Sequence, residues 1–578
     1  MQTDSVLQIE RRDYTADRRI LAITAMAACI GGCSTVAAVV LLNLIRFFTN
    51  LFFFQRFSLA DAMPAQHTLG AWVILLPVLG GLIVGAMARY GSEKIRGHGI
   101  PEAIEAILFG KSKMSPKVAV LKPLSSGIVI GSGGPFGAEG PIIMTGGSLG
   151  SLIAQFFHLT GAERKTLLVA GACAGMTAVF GTPAAAVLLA VELMLFELRP
   201  RSLLPVAVAC GVAGFLRMVV LDAAPLFPLQ TAPATLPALG SCLVAGLLCG
   251  VLSAVLTQAL YRIEDLFAHL PVHWMWWPAI GGLAVGIGGW LQPRALGVGY
   301  DVINDLLHNQ MALQVALALL AAKAVMWAVA LGSGTSGGVL APLLMMGAGL
   351  GVALGPWLPG GEPSLWALVC MAAVLGAVLG APLTAVVFAF GLTHDSAALL
   401  PLLLTTAVAY GFTVLTMPRS IMTEKIARRG LHIYREYSVD PLERQHVADR
   451  MTRKVLSIDA AMPAGLALQE YFGPDQLHRA YPLLRDGRLV GMVERGTLLA
   501  MEEADLPCAN LVEEAPVVAL AGESLRMVAA RMAAHGIERL PVVDNEQDMQ
   551  LIGLISRSDI LQATQQVFNE EMVRERLR

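Results

Sequence analysis

The sequence predicts an all-α polytopic membrane protein, built from two repeats of broken helices and followed by a small α/β domain pair. Of its 578 residues, 55% are hydrophobic and 15% are charged, whereas soluble domains carry about 25% charged residues. Apolar runs near the roughly 20 residues that span a bilayer recur between Leu21 and Met417. Many are interrupted by Gly or Pro, and such breaks are tolerated in a membrane only where protein or a cavity surrounds them.

The polar stretch 1–19 contains four arginines and is followed by no signal-peptide cleavage pattern. It predicts an uncleaved, cytoplasmic N-terminus. The net charge of −2 gives no reason to expect nucleic acid as a partner. The eight cysteines include no C-x-x-C pair, so small core positions are favoured over a metal or redox site.

An internal repeat divides the apolar region into two halves. Gly131–Gly150 (GSGGPFGAEGPIIMTGGSLG) aligns without a gap on Gly332–Gly351 (GSGTSGGVLAPLLMMGAGLG), and Ala178–Ala190 aligns on Ala377–Ala389. Two matched blocks in the same order indicate a duplicated unit. We expect a membrane domain over 20–430, with halves at about 20–220 and 235–420 that meet near the bilayer midplane.

Two further segments are not predicted to be membrane helices. The proline-rich stretch Asp222–Pro237 predicts a surface connection between the halves, a linker and not a site. Charged residues become frequent after Arg429, and Arg479–Leu499 parallels Arg539–Leu561 in its order of strand, turn, strand and helix start. This pattern predicts two soluble modules, at 446–505 and 508–570.

Each half places a Gly-rich turn before an apolar helix, with Pro141 or Pro342 in the first helical turn, where a missing N–H costs nothing. Such a helix start offers unpaired N–H groups and a positive dipole end, which bind anions. A further turn, Gly97–Glu102 (GHGIPE), has the same layout. Because amides bind anions without the full charge that would trap them, the pattern favours the passage of small inorganic anions.

Glu139 stands in the first of these turns, where the second half has Leu340, so the shared backbone does not require its carboxylate. The carboxylate could occupy an anion's place and leave, or become protonated, to let an anion pass. The alternative is a glutamate that only complements the helix dipole. His98 could likewise donate a hydrogen bond to an anion or be a satisfied polar group.

These residues resemble the ClC family of chloride channels and chloride/proton exchangers. Gly97–Pro101 (GHGIP), Gly137–Pro141 (GAEGP) and Gly338–Pro342 (GVLAP) are similar to the three filter motifs of that family and occur in the same order. The resemblance implies the ClC fold with two inverted halves, a homodimer with one pore per subunit in the plasma or inner membrane, and cytoplasmic termini. It also implies chloride transport of the voltage-gated channel type, with Glu139 as the gating glutamate.

The same resemblance implies the anion-binding positions, which are His98, Gly99, Ile100, Ala138, Gly140, Val339, Leu340 and Met422. Four of them depart from the family pattern: His98 replaces a serine, Ala138 an arginine, Leu340 a phenylalanine and Met422 a tyrosine. Coordination is therefore expected to depend on the backbone amides of Val339 and Leu340 and on the His98 ring. Fluoride and nitrate stay open as alternatives to chloride.

Proton coupling depends on Leu193, because family exchangers keep an internal glutamate at the position that aligns with it. Leucine cannot relay a proton. We expect the neighbouring Glu192 to point elsewhere, since one helical position turns a side chain by about 100°. The sequence favours passive conduction, and exchange is the alternative because Glu192 could serve after a small shift.

The C-terminal modules resemble CBS domains, which in many proteins bind adenine nucleotides. The resemblance implies that Asp559 binds ribose hydroxyls and that Ser556 binds phosphate. In the first module Thr497 replaces the aspartate and Glu494 would repel a phosphate, so a dimerising scaffold is the alternative. An adenine nucleotide is the one cofactor that the sequence suggests, and no metal is expected.

Two other classes of protein fit less well. Ser132 and His98 could suggest a membrane serine protease. However, Ser132 recurs as Ser333 in the second half, and a catalytic nucleophile would not need a second copy. A cation carrier would need several carboxylates, whereas the repeats offer one. Lys323 also has the wrong sign for such a carrier, although a buried lysine that snorkels is its simpler interpretation. We therefore expect a transport protein and not an enzyme.

Overall fold

The computed structural model describes residues 18–221, 224–431, 433, 440–473, 476, 478–501, 503–512 and 515–572. Of the predicted N-terminal segment 1–19, only Arg18 and Arg19 lie within this part. The described residues form two compact units, 18–433 and 440–572. Each unit has its own hydrophobic core.

Seventeen α-helices form the described part of the first unit. The first half contains α1 (Arg19–Phe54), α2 (Leu75–Tyr90), α3 (Ile100–Leu108), α4 (Pro116–Gly131), α5 (Glu139–Gln155), α6 (Gly161–Phe180), α7 (Pro183–Leu189) and α8 (Pro200–Val220). The second half repeats this order with α9 (Ala238–Ala268), α10 (Trp277–Leu291), α11 (Tyr300–Leu307), α12 (Leu313–Gly332), α13 (Leu340–Leu354), α14 (Pro363–Leu379), α15 (Pro382–Thr393) and α16 (Leu399–Thr416). Helix α17 (Ile421–Ala427) follows the second half.

Glycine and proline set the breaks between consecutive helices in both halves. Gly181 ends α6 with φ 72°, and Pro183 occupies the first turn of α7. Gly380 ends α14 with φ 70°, and Pro382 occupies the first turn of α15. A left-handed residue closes a helix at least cost when it is glycine, and proline suits the first helical turn. The duplicated sequence thus produces the same break twice.

Seven helical stretches among the described residues are long and apolar enough to cross a bilayer. Others, such as α3, α7 and α11, are short and lie between the long ones. This mixture of full and broken helices is the one that the sequence predicts, and it makes the first unit a multi-pass membrane domain.

Equivalent residues of the two halves meet each other. Where α2 packs on α10, a side chain on Gly81 would collide with the carbonyl of Pro278, and a side chain on Gly282 would collide with the carbonyl of Pro77. Farther along, the N–H of Gly338 donates to the carbonyl of Gly137 at 3.1 Å in an antiparallel bridge between repeat equivalents. Reciprocal contacts of this kind indicate a two-fold axis between the halves, as expected for inverted repeats.

The connection between the halves follows the prediction in part. It is irregular, as its prolines require, and most of its described residues are exposed, but Phe227, Leu229 and Thr231 are buried. Phe227 is 1% exposed, and its N–H donates to the carbonyl of Leu392 at 2.9 Å. Farther on, both the N–H and the hydroxyl of Thr231 donate to Asp395, at 3.0 and 2.7 Å. These buried contacts do not follow from the sequence pattern, because proline content fixes backbone conformation, whereas the apolar side chain of Phe227 favours burial.

Helix α9 separates two faces of the membrane unit. It begins beside the connection at 224–237, and Tyr261 lies about 35 Å farther along its axis at 1.5 Å per residue. There the Arg428 guanidinium stacks 4.7 Å from the centre of the Tyr261 ring. We call the end with residues 224–237 the linker face, and the end with Arg428 and Arg429 the basic face.

The start of the membrane unit also lies on the basic face. Arg19 forms an ion pair with Glu163 at the start of α6. At the other end of α6, about 30 Å away, Gly181 lies against Arg217 near the end of α8, which leads into the linker. Arg19 is therefore on the face opposite the linker, where α17 also ends.

The second unit consists of two similar modules. One sheet contains β1 (Ile458–Asp459), β2 (Ala480–Arg485) and β3 (Arg488–Glu494), and the other contains β4 (Ala519–Leu520), β5 (Arg539–Val543) and β6 (Leu551–Ser556). In each, the first pair of strands is parallel and the second antiparallel, with an irregularity at equivalent positions of β2 and β5. The helices are α18 (Pro441–Arg444), α19 (Val447–Arg450), α20 (Ala464–Tyr471), α21 (Arg495–Leu499), α22 (Leu525–His535) and α23 (Arg557–Met572).

The cores of the modules cross the predicted boundaries. Val447 and Met451, within the predicted first module, pack in the core that contains β4, β5 and β6. Cys508, at the start of the predicted second module, packs in the core of β1, β2 and β3. The two modules therefore exchange their N-terminal segments.

We predict that the Asp395 contact stabilises the membrane unit. Asp395→Ala would leave the N–H and hydroxyl of buried Thr231 without this acceptor, which should cost about 1–3 kcal/mol and lower the thermal unfolding temperature of the purified protein. Asp61→Ala is the control, because Asp61 pairs with Arg46 at the surface, and exposed pairs contribute about 0–1 kcal/mol. Equal melting temperatures for both variants would contradict the prediction.

Candidate functional site

The three Gly-rich motifs of the sequence converge in the middle of the membrane unit. Gly140 at the start of α5 lies so close to the carbonyl of His98 that a side chain on Gly140 would collide with it, and the same Cβ position would lie 3.2 Å from the Cα atom of Gly338. The N–H of Gly97 donates to the carbonyl of Thr335 at 3.2 Å. Helices α3, α5 and α13 therefore begin around a common point, which brings together amide groups that the sequence places far apart.

Glu139 occupies the start of α13 with its side chain. It is the first residue of α5 and is fully buried. Its Oε1 accepts a hydrogen bond at 3.0 Å from the N–H of Ala341, in the first turn of α13. The carboxylate thus lies at a positive helix end that belongs to the other half. This is the position in which an anion would bind to unpaired amides.

His98 lies between this point and the basic face. It directly precedes Gly99, the N-cap of α3, and is 3% exposed. Its Nδ1 has no hydrogen-bond partner among the described residues. The side chain lines a cavity of about 590 Å³ that opens toward the basic face. The ring can therefore serve as a donor or an acceptor to something that enters the cavity.

Charged side chains from α3 face others from α17 and from the turn that follows it in this cavity. Lys425 pairs with Glu102 at 2.8 Å, and Arg429 pairs with both Glu102 and Glu105. Lys425 also lies against Gly97. The cavity therefore combines cations that attract anions with carboxylates that keep each cation partly neutralised.

Two buried lysines hold the turns that precede α3 and α11. The ammonium of Lys122 donates to the carbonyls of Ile95 and Gly97 at 2.8 and 2.7 Å. The ammonium of Lys323 donates to the carbonyls of Ala295 and Gly297 at 3.0 and 2.7 Å. Both lysines are 0% exposed, so the prediction that Lys323 snorkels was wrong. Backbone carbonyls satisfy its charge inside the protein.

This pair is not among the site residues predicted from the sequence, although the repeat contains the signal. Lys122 and Lys323 stand at matching positions before the two Gly-Ser-Gly turns, and Gly297–Gly299 is the second-half counterpart of Gly97–Gly99. Gly99 and Gly299 both cap a helix with positive φ, at 90° and 82°. Gly297–Gly299 is thus a fourth Gly-x-Gly turn, and each such turn of one half has a counterpart in the other.

The remaining predicted anion positions lie on the same helix starts. Ile100 begins α3, Ala138 is the N-cap of α5, and Val339 and Leu340 are the N-cap and first residue of α13. Met422 is buried in α17, which packs on α3. It contributes a thioether in a region where the family pattern has a hydroxyl.

Leu193 and Glu192 lie in a π-helical segment, Ala190–Leu195, that extends α7. Leu193 is 0% exposed. Glu192 accepts hydrogen bonds from the N–H groups of Leu383 and Thr384 at 3.2 and 2.7 Å and from the Thr384 hydroxyl at 2.6 Å. Its carboxylate therefore caps α15, a role that the sequence analysis did not foresee.

In the second unit, Asp559 and Ser556 bind each other at the start of α23. The Oδ2 atom of Asp559 accepts from the Ser556 N–H at 2.8 Å and from its hydroxyl at 2.6 Å. Thr497 lies in α21, and Glu494 ends β3 as the N-cap of that helix. The predicted nucleotide residues of the second module thus form a helix cap with one another.

Family models match both units. One described as voltage gated chloride channel matches residues 80–414, and one described as CBS domain matches residues 508–565. A ClcB-like chloride channel protein of Ralstonia nicotianae is 29% identical over 424 residues, which are 71% of this chain and 97% of the relative. The H(+)/Cl(−) exchange transporter ClcA of Klebsiella pneumoniae is 29% identical over 418 residues, 70% of this chain and 87% of the relative.

Solved structures show the same fold. A slow cyanobacterial Cl−/H+ antiporter matches with a TM-score of 0.63 and 22% identity over 72% of this chain and 98% of its own. A CLC-type fluoride/proton antiporter matches with a TM-score of 0.60 and 20% identity, over 71% and 98%. A eukaryotic CLC transporter matches with a TM-score of 0.56 and 19% identity, over 93% and 98%. With a family model over more than half of its length and this fold, the chain belongs to the voltage gated chloride channel family, is an anion transporter with inverted repeats, and carries a C-terminal CBS domain.

Proposed function

We propose that the chain conducts chloride passively across the cell membrane, between the basic face and the linker face, under the control of Glu139. The observation that carries the proposal is the carboxylate of Glu139 at the first turn of α13, where it accepts from Ala341. A chloride ion could use the same amides only after this carboxylate has left. Glu139 therefore acts as a gate, because its carboxylate occupies the binding site of the anion.

The arrangement around Leu193 supports passive conduction. A proton that crosses the basic half of the membrane unit needs titratable groups or a water chain, because an isolated charge in an apolar interior is costly. Leu193 supplies neither. The nearby Glu192 is held by three hydrogen bonds at the start of α15, and these would have to break before it could relay a proton.

Chloride/proton exchange is the second candidate. The ClcA relative is named as an exchange transporter. This similarity favours proton coupling in this chain, provided that the Glu192 carboxylate can break its hydrogen bonds to the start of α15. The proposed substrate is chloride, because the chain belongs to the voltage gated chloride channel family. Fluoride or nitrate is the alternative, because His98 and Met422 give the basic half of the pathway a chemistry that departs from the family pattern.

We further propose cytoplasmic termini and a homodimer in the plasma or inner membrane. The two described ends of the membrane unit, Arg19 and α17, lie on the basic face, and an excess of Lys and Arg marks the cytoplasmic side. A homodimer with one pathway per subunit follows from the family resemblance. The CBS modules are proposed to regulate transport and not to catalyse a reaction, with an adenine nucleotide as their candidate ligand.

A chloride gradient should not drive protons uphill. In liposomes that contain the purified protein, we expect the reversal potential to follow the chloride gradient and to be independent of potassium and pH gradients, because Leu193 cannot relay a proton. Leu193→Glu should introduce slight coupling. Uphill proton movement at a fixed chloride-to-proton ratio, lost in Glu192→Gln, would establish exchange instead.

Removal of the Glu139 carboxylate should open the pathway. Glu139→Ala frees the Ala341 N–H, and because a hydrogen bond to a charged group contributes about 1.5–3 kcal/mol, chloride efflux at neutral pH should rise roughly tenfold and lose most of its pH response. Glu362→Gln is the control, since Glu362 is an exposed carboxylate at the start of α14. A wild-type pH profile in Glu139→Ala would mean that Glu139 only complements a helix dipole.

Nucleotide affinity should reside in the second CBS module. Asp559→Ala should weaken the binding of ATP, ADP or AMP about tenfold, the loss expected for charge-assisted hydrogen bonds, whereas Thr497→Ala should change it little. Isothermal titration of the full chain in detergent measures both. Asp559→Asn, which keeps one acceptor for Ser556, separates loss of binding from loss of the helix cap. Absence of heat with all three nucleotides would favour the scaffold interpretation.

A further inference from the structure

The second half contains a hydroxyl group that the first half lacks. Gly297–Gly299 matches Gly97–Gly99, but the helix that follows begins with Tyr300 in the second half and with Ile100 in the first. The backbone that the two copies share therefore does not require the hydroxyl. The same reasoning singles out Glu139, whose counterpart is Leu340.

Two buried polar atoms in this region have no hydrogen-bond partner among the described residues. They are the hydroxyl oxygen of Tyr300 and the Oε2 atom of Glu139. Unpartnered buried polar atoms are rare in native proteins, so each needs an explanation. A hydroxyl can donate and a carboxylate can only accept. The two groups are therefore chemically complementary.

Several contacts bring Tyr300 close to the gate. Gly299, which precedes it, lies against Met345 in the second turn of α13, the helix whose first turn binds Glu139. The Tyr300 ring meets Phe180 at the end of α6, with 6.5 Å between the ring centres. Tyr300 and Glu139 also lie within the range over which charges act on each other.

Tyr300 lies on the linker side of Glu139. The Tyr300 ring packs edge-on against Phe227 of the linker, with ring centres 6.0 Å apart. His98 and the cavity lie on the opposite side, toward the basic face. A Glu139 side chain that leaves α13 toward the linker face would therefore move toward the Tyr300 hydroxyl.

We propose that Tyr300 is a positioning residue for the gate, whose hydroxyl donates a hydrogen bond to the Glu139 carboxylate after it has left α13 and so stabilises the conducting state. This inference rests on the proposed gating role of Glu139. The charged group nearby is Lys323, which interacts electrostatically with Glu139 and Asp301. Its ammonium already donates to three carbonyls, whereas the Tyr300 hydroxyl has no hydrogen-bond partner within the described part of the chain.

The test compares chloride efflux from liposomes for the wild type, Tyr300→Phe, Glu139→Ala and the double variant. Tyr300→Phe keeps the ring and its aromatic contacts, so the fold should persist. At neutral pH its efflux should fall about tenfold, the scale of one hydrogen bond to a charged group. At acidic pH, where a protonated Glu139 needs no such partner, the difference should disappear. Tyr90→Phe, at an exposed tyrosine, is the matched control.

In the Glu139→Ala background, Tyr300→Phe should have no further effect, because the carboxylate that it serves is gone. A tenfold loss that persists in this background would mean that the hydroxyl contacts the anion itself, and it would overturn the inference. Unchanged efflux in Tyr300→Phe at every pH would also overturn it, while the proposed function would stand. A wild type without anion-selective flux would overturn the proposed function together with this inference.

Discussion

The membrane unit depends on satisfying irregular backbone where no water is available. Gly-rich turns expose carbonyl groups in the middle of the protein, and each unpaired carbonyl in an apolar surrounding is costly. Lys122 meets this need for two carbonyls and Lys323 for three. Because the lysines bind the carbonyls of the turns, the N–H groups of the following helices stay available. Each lysine thus satisfies the carbonyl groups of a turn, and the N–H groups of the following helix remain available to bind an anion.

Duplication explains the scaffold, and the differences between the copies explain the chemistry. Ser132 and Ser333 bond to equivalent carbonyls three residues earlier, as a turn residue retained in both halves would. In the alignment of the halves, Glu139 instead corresponds to Leu340, and Tyr300 corresponds to Ile100. A backbone with two-fold symmetry therefore carries a pathway without that symmetry, which has a charged cavity at one end and an aromatic cluster at the other.

Much of the fold could be predicted because the sequence states it twice. The repeat fixed which segments correspond, and glycine and proline marked the helix breaks. The burial of Phe227 and the cap that Glu192 forms on α15 could not be predicted, because both depend on contacts between residues far apart in sequence. The fourth Gly-x-Gly turn was predictable in principle, but its sequence, GVGYD, lacks the proline that marks its counterpart. For the site, motif spacing identified the helix starts, whereas the partner of each side chain required the structure.

The contacts that bury Phe227 and Thr231 have a consequence for biosynthesis. Lys122 and Lys323 each find their carbonyls within their own half, so either half can complete its lysine site while it is alone. Phe227 and Thr231 instead wait for Leu392 and Asp395, which leave the ribosome much later. Until Leu392 and Asp395 are synthesised, Phe227 and Thr231 lack these partners, and exposed apolar side chains favour premature association. The contacts of Phe227 and Thr231 with Leu392 and Asp395 are therefore expected to form late in assembly, after both halves have entered the membrane.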